Sequence, residues 1–409
     1  MTSLYSAAVA YLDDTRTARE ELYKWFHQNP ELSMQEEGTV QRILAELDDA
    51  GVPGQRVGHG VVAVLTNGDG PTVAMRADFD ALPVKEDSGV DYASTATQVS
   101  ERTGTEVPVA HMCGHDFHTT WLISTVRFLA THRELWSGTF EAVFQPAEET
   151  AEGGKDLVAH GITDAMPTPD IMLGQHVMGV LPMGTVATNA GVSFSTASTI
   201  KVTLRGTGSH GSMPEKSVDP IVLAANVIMN LQTIVSREIK PQEMAVVTVG
   251  AIHGGAKSNI IPSEVVLDLN TRCYSAEVQE QLHGAIERIV RGLCTAARAQ
   301  EPQFEYSDLF PLLVNDPDVT HRVTESFKEL LGDDATGSYD PFAGSEDFPD
   351  VPNAFDVPYT FWIVGGFPDP ATAPGNHSPQ FVPQLDPTLD LGTRATVAAL
   401  TPWLAKDNG

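Results

Sequence analysis

Apolar residues recur at helical spacing from Leu4 through Ala8, Tyr11 and Leu12 to Leu22, Trp25 and Phe26, which predicts an amphipathic helix over residues 4–28. His27-Gln28-Asn29-Pro30 ends it, and a second helix is expected from about Glu36 to Ala50, stopped by Gly51. Two short β-branched runs follow, Val61 to Leu65 and Thr72 to Arg76, separated by Asn67-Gly68-Asp69-Gly70, a hairpin-type turn signal. A helix over Thr119 to His132, a buried strand over Gly138 to Phe144, a helix from Gly153 to His160 and an apolar run from Ile171 to His176 complete the first half.

The pattern then changes. Between about Phe194 and Leu309 the order reads strand (199–205), helix (219–237), strand (245–253), strand (264–271), helix (276–300), strand (303–308). That β-α-β-β-α-β order is the ferredoxin-like arrangement. The expected fold class is therefore α/β: a mixed-sheet α/β/α domain formed by residues 1–190 and 311–409, interrupted by an inserted domain over 191–310. A last helix is expected from about Thr388 to Leu404.

Composition narrows the function classes. Lys and Arg number 25 against 54 Asp and Glu, a net charge of −29, which disfavours nucleic acid and anionic membrane surfaces as partners. The 42% hydrophobic and 19% charged fractions describe a folded globular chain. No stretch approaches the roughly 20 apolar residues of a membrane helix. The N-terminal residues lack a basic start followed by an apolar run, so no secretory leader is expected. Cys113, Cys273 and Cys294 are too few and too scattered for a disulfide framework and fit a reducing, cytoplasmic setting.

The chemistry concentrates in His111-Met112-Cys113-Gly114-His115-Asp116-Phe117-His118, where eight residues hold three His, one Cys and one Asp. Thiolate and imidazole together suit zinc and its neighbours in the first transition row. Cys113 and His115, two apart, can enter one cavity from an extended segment, whose alternate residues share a face. Arg76-Ala77-Asp78-Phe79-Asp80 places two carboxylates after a strand, where α/β proteins carry their chemistry, though a solvated loop reads equally well. Glu148 and Glu149 follow another strand. Either both are exposed, or one ligates a cation while the other accepts a proton. His176, alone at the end of an apolar run, reads by itself as a satisfied core imidazole.

Taken together these segments resemble the amidohydrolase branch of the aminoacylase/carboxypeptidase superfamily of two-metal hydrolases. The resemblance rests on 76–83, 111–118, 145–149, Gln175-His176, Gly208-Ser209-His210-Gly211, Asn259-Ile260-Ile261-Pro262, 344–348 and His377-Ser378-Pro379, in the family's order. Glu21 to Gln28 and Leu135 to Phe140 look most like the actinobacterial Nα-acyl-glutamine aminoacylase type.

The resemblance implies a metal-dependent hydrolase of N-acyl-amino acids, with a carboxypeptidase or dipeptidase as the alternative and a non-catalytic binding protein more remote. It implies metal ligands Cys113, His115, Glu149, His176 and His377 for one or two divalent ions per subunit: zinc, manganese, cobalt or nickel. Cys113 would stand where carboxypeptidase branches place a bridging carboxylate. The implied catalytic set is Glu148 as general base, Asp80 (with Asp78 a further candidate) orienting a ligand or polarising the site, and His210. Asn259 and Arg272 would hold the substrate carboxylate. The inserted domain would act as lid and dimerisation module of a homodimer or dimer-based oligomer. The expected partner is a small N-acyl-amino acid, with no nucleic acid and no membrane.

Overall fold

The structure, a computed structural model, describes residues 3–406; the ends of the expected domain ranges, 1–2 and 407–409, lie outside the described residues. The chain divides into two compact units. The first comprises residues up to Ser193, Val314–Asp340 and the chain from Asp347; the second comprises Phe194–Leu313 and Pro341–Glu346.

The first unit is built on a mixed sheet of eight strands. From edge to edge they are Gly54–Val57, Gly60–Asn67, Gly138–Gln145, Thr72–Asp78, Ile171–Pro182, Tyr359–Phe367, Val186–Thr188 and Thr336–Ser338. The third to sixth of these run parallel to one another. The turn at Asn67–Gly70 does not join a hairpin. The strands it separates both pair with Gly138–Gln145, one antiparallel and one parallel, so the later strand inserts between them. The turn residues report a chain reversal, and they carry no information about which strand fills the gap.

Helix ends follow from capping chemistry. The helix Leu4–Gln28 starts at Ser3, whose Oγ accepts the Ser6 N–H at 3.1 Å. The helix Glu37–Asp49 stops before Gly51, which holds a left-handed φ of 68°. The helix His115–Thr131 begins four residues earlier than the expected Thr119, so His115 sits in its first turn. Its apolar side chains, Phe117, Trp121, Leu122 and Leu129, pack with Phe26, Phe140, Phe144 and the C-terminal helix Leu385–Leu404 in one core. Gly392 of that last helix lies against Trp121: a Cβ there would be 2.1 Å from two atoms of the indole.

The second unit has the expected β-α-β-β-α-β order. Its four antiparallel strands lie in the order Ala245–Gly254, Glu264–Cys273, Thr196–Arg205, Gln303–Phe310. Helices Pro220–Arg237 and Ala276–Ala297 bury Leu223, Val227, Leu231, Leu282, Ile286 and Val290 with Ile200, Leu267 and Leu269 of the sheet. Asp219 caps the first helix, accepting from Ile221 N at 2.9 Å, with Pro220 preset at its start. The segment 341–346, expected to travel with the first domain, packs here instead. Arg272 Nη1 donates to Ala343 O at 2.6 Å and Tyr274 Oη donates to Pro341 O at 2.7 Å.

Gly392→Ala is expected to destabilise the protein by about 1–3 kcal/mol through overpacking against Trp121, read as a lower denaturant midpoint at unchanged slope.

Candidate metal centre

In the first unit the four parallel strands deliver their carboxyl ends to one place. Asp78 closes one strand and Asp80 follows it by two residues. Glu148 and Glu149 follow Gly138–Gln145 after Pro146 and Ala147, His176 lies within Ile171–Pro182, and His377 lies beyond Tyr359–Phe367. Ligands outside the carboxyl ends of parallel strands are the general arrangement of such sheets. Cys113 and His115 arrive from the turn into helix His115–Thr131, not from an extended segment. Gly114 between them holds φ +85°, and a Cβ there would lie 2.3 Å from Val177 Cγ1. Only glycine tolerates both the left-handed turn and that approach.

Backbone strain displays the two glutamates. Ala147 (φ 47°) and Ala151 (φ 53°) both occupy the left-handed region on either side of the single turn Glu148–Thr150. His377 does so as well, at φ 70°. Such residues cost about 1–3 kcal/mol each and persist where surrounding structure fixes them.

Candidate ligand atoms of Cys113, His115 and His176 lie within 4.8 Å of one another, as do those of Cys113, Glu149 and His377. The two triplets share the Cys113 thiol. Glu148 joins His115 and Glu149 in a third close group, with Oε2 3.9 Å from His115 Nε2. Two of the three imidazoles, His115 and His176, are aimed from behind. His115 Nδ1 donates to Asp80 Oδ1 at 3.0 Å, which leaves Nε2 facing the group. His176 Nδ1 donates to Val177 O at 2.7 Å, leaving its Nε2 3.5 Å from Cys113 Sγ. Asp80 Oδ2 in turn accepts from Ser33 Oγ (2.7 Å) and Glu149 N (3.1 Å). Asn376 Nδ2 donates to Cys113 Sγ at 3.5 Å.

The donors suit a divalent cation. His115 Nε2 and Glu149 Oε1 are buried without a hydrogen-bond partner among the described residues, a deficit of about 1–3 kcal/mol each that a coordinated ion removes. The field favours positive charge. Burial would lower the His115 pKa, yet Asp78, Asp80 and Cys113 hold it well above the ordinary imidazole value. His377 is raised to about 11 by its hydrogen bonds to Cys113 and Glu149.

Of the remaining imidazoles of the 111–118 motif, His118 forms a separate close group with Asp78 and His115. His111 is buried, with its pKa pushed down to about 4 by burial. The residues of the second unit are placed as follows. His210 lies on the two-residue strand Ser209–His210, exposed, with Nδ1 accepting the Ser212 N–H at 3.2 Å. Asn259 is exposed, and its carbonyl accepts from Gly211 N at 2.8 Å. Arg272 is half-buried and already donates to Asn270 Oδ1, Ala343 O and Ser345 Oγ.

Residues 74–401 match the family described as Peptidase family M20/M25/M40. The chain belongs to this family. M20 relatives cover nearly its whole length. The Arabidopsis thaliana protein "IAA-amino acid hydrolase ILR1-like 4" is 33% identical over 384 residues, 90% of this chain and 83% of that one. "Thermostable carboxypeptidase 2" of Saccharolobus solfataricus is 32% identical over 328 residues, 79% of each chain. The Bacillus subtilis YXEP protein, described as a dinuclear metal binding peptidase from the M20 family, is 25% identical with a TM-score of 0.77, covering 95% of this chain and 98% of that one. The M20 fold and the ligand sets on the strand ends together make this chain a metal-dependent amidohydrolase.

Sequence reasoning passed over the supports: Ser33, Asn376, and a buried ionic cluster behind the motif. There His27 lies between Asp116 Oδ2 (2.7 Å) and Glu86 Oε1 (3.1 Å). The sequence marks His27 as part of a helix end, and the spacing of Asp116 and Glu86 carries no signal toward it. Burial opposes its charge, but the two carboxylates raise its pKa from 6.5 to about 9. A raised folded-state pKa stabilises fully below about 6.5 and is lost as pH climbs through about 9. That difference corresponds to about 3 kcal/mol. Unfolding free energy should therefore fall more steeply between pH 6.5 and 9.5 in the wild type than in His27→Gln, measured by denaturation across that range.

Proposed function

We propose that this chain hydrolyses the amide bond of N-acyl-amino acids, releasing a carboxylic acid and a free amino acid. The observation that carries the reading is the pair of ligand triplets sharing one thiol, with a further buried carboxylate, Glu148, beside them. Cys113, His115, Glu149, His176 and His377 would hold one or two divalent ions, zinc or manganese first, with cobalt or nickel also suited. When bound, such an ion polarises a carbonyl oxygen and acidifies water.

The chain's own groups do the rest. Glu148 accepts a proton from the attacking water and returns it to the leaving nitrogen, a contribution of about a hundred- to ten-thousand-fold. Asp80 keeps the His115 ring and the Glu149 backbone in register. His210 would donate a hydrogen bond to the developing oxyanion. Asn259 and Arg272 remain candidates for the substrate carboxylate.

A cavity of about 240 Å³ lies beside Glu149. Leu32, Ala81, Leu82 and Pro83 give it an apolar wall, with Arg102 also in its lining; such a wall suits an uncharged acyl group better than the ammonium group of a dipeptide. The Arabidopsis relative's name points the same way; the carboxypeptidase name keeps peptide cleavage as the second reading. The second unit would be the lid and the dimerisation module. Its ten-residue edge strand Ala245–Gly254 exposes Val246 and Ile252, and Met229 of the adjoining helix is 70% exposed, so a homodimer joined there would cover apolar surface. No helix among the described residues is long and apolar enough to cross a membrane; the scattered thiols support a cytoplasmic setting.

A panel of N-acetyl-, N-benzoyl- and longer N-acyl-amino acids, with acyl-glutamines included, against dipeptides tests the reading; hydrolysis of dipeptides alone would replace it. Glu148→Gln should keep wild-type metal content and lose turnover by at least about a hundredfold. His210→Ala should lower kcat by about a hundred- to a thousandfold, again with metal content intact.

A further inference from the structure

His118 closes the 111–118 motif, yet it belongs to neither triplet around Cys113. Its ring is 1% exposed. Nε2 accepts the Val177 N–H at 2.9 Å. An accepting Nε2 carries its lone pair, so the ring proton is on Nδ1, which donates to Asp78 Oδ1 at 2.5 Å. Both nitrogens are committed, which leaves no lone pair for a cation. Asp78 Oδ2 accepts from Arg76 Nη1 at 2.6 Å, and Arg76 continues to Gln145 Oε1 (3.0 Å) and Asp347 Oδ1 (3.1 Å). Burial would raise the Asp78 pKa, but Arg76, His115 and His118 hold it well below the usual carboxylate range.

The receiving end of this chain of bonds is the peptide between His176 and Val177. Strand Thr72–Asp78 pairs with Ile171–Pro182 only as far as Arg76 opposite Gly174. Past that point a side chain, His118, receives the Val177 N–H. Fixing that peptide plane fixes ψ of His176. The His176 ring, whose centroid is 4.5 Å from that of His118, is then pinned by its own Nδ1 on Val177 O.

We propose that His118 is a positioning residue. The buried relay Arg76–Asp78–His118 locks the His176–Val177 peptide and thereby aims His176 Nε2 at the metal. The proposal rests on the reading of His176 as a ligand. Outer partners of this kind alter metal affinity by about 10- to 100-fold when removed.

The test is titration of the metal-free full-length protein with Co²⁺, following affinity, stoichiometry and visible spectrum. His118→Leu should weaken Co²⁺ binding by about 10- to 100-fold and shift the ligand-field bands, with the number of ions unchanged. His118→Gln, whose amide can donate to Asp78 and accept from Val177, should restore most of the affinity and the wild-type spectrum. Wild-type affinity and spectrum in His118→Leu would overturn the proposal. Loss of one equivalent of Co²⁺ in both variants would overturn it too, by making His118 a ligand. His176→Ala is the control: if it leaves Co²⁺ binding unchanged, the ligand reading fails first. Should His118→Leu not fold, ¹⁵N-histidine NMR of the wild type loaded with ¹¹³Cd²⁺ decides. An Nδ1-protonated His118 without cadmium coupling is expected, and coupling at either of its nitrogens refutes the proposal.

Discussion

The first unit is governed by the cost of keeping carboxylates together away from water. Asp78, Asp80 and Glu148 are all at most 6% exposed, and Glu149 stands against them with one oxygen unpartnered. Removing such groups from water costs several kcal/mol per ion unless opposite charge and hydrogen bonds compensate. The chain meets this in two ways. A buried guanidinium, Arg76, answers Asp78 and Asp347 permanently. The second set is faced by His115 and His176, whose outer nitrogens are anchored and whose inner nitrogens face a common centre, and by His377. The first arrangement is structural and already satisfied; the second has the donors to suit a cation.

This division explains why the strand ends are so rigidly made. Ala147 and Ala151 hold a conformation their side chains resist, and Gly114 makes an approach that only a glycine can make. Each places a donor where propensity alone would not. The stabilisation that offsets them lies in the apolar core behind the sheet, where Trp121, Phe117, Phe140 and Phe144 are buried.

The sequence disclosed the second unit almost strand by strand, because its antiparallel strands are covered on one face and alternate apolar with polar. It disclosed less of the first unit. Tyr359–Phe367 is buried at all nine positions, so it shows no alternation and passed unread. Thr97–Val99 and Glu106–Pro108 form a hairpin of two three-residue strands, too short and too exposed to mark itself. Within the site, ligand-type residues were legible by type and order. Their division of labour was not: composition cannot tell that His115 keeps an inner nitrogen free while His118 has spent both, since that depends on which strand stops first.

The span of the Arg76–Asp347 ion pair has a consequence for biosynthesis. The two residues are 271 positions apart, and His377 follows later still. A ribosome therefore releases the guanidinium long before its second carboxylate exists, and the second unit emerges in the interval. Contacts of such long range close late and slowly. The first sheet must wait, half-assembled, for its central Tyr359–Phe367 strand. That makes the nascent chain, rather than the finished enzyme, the form most in need of chaperone protection.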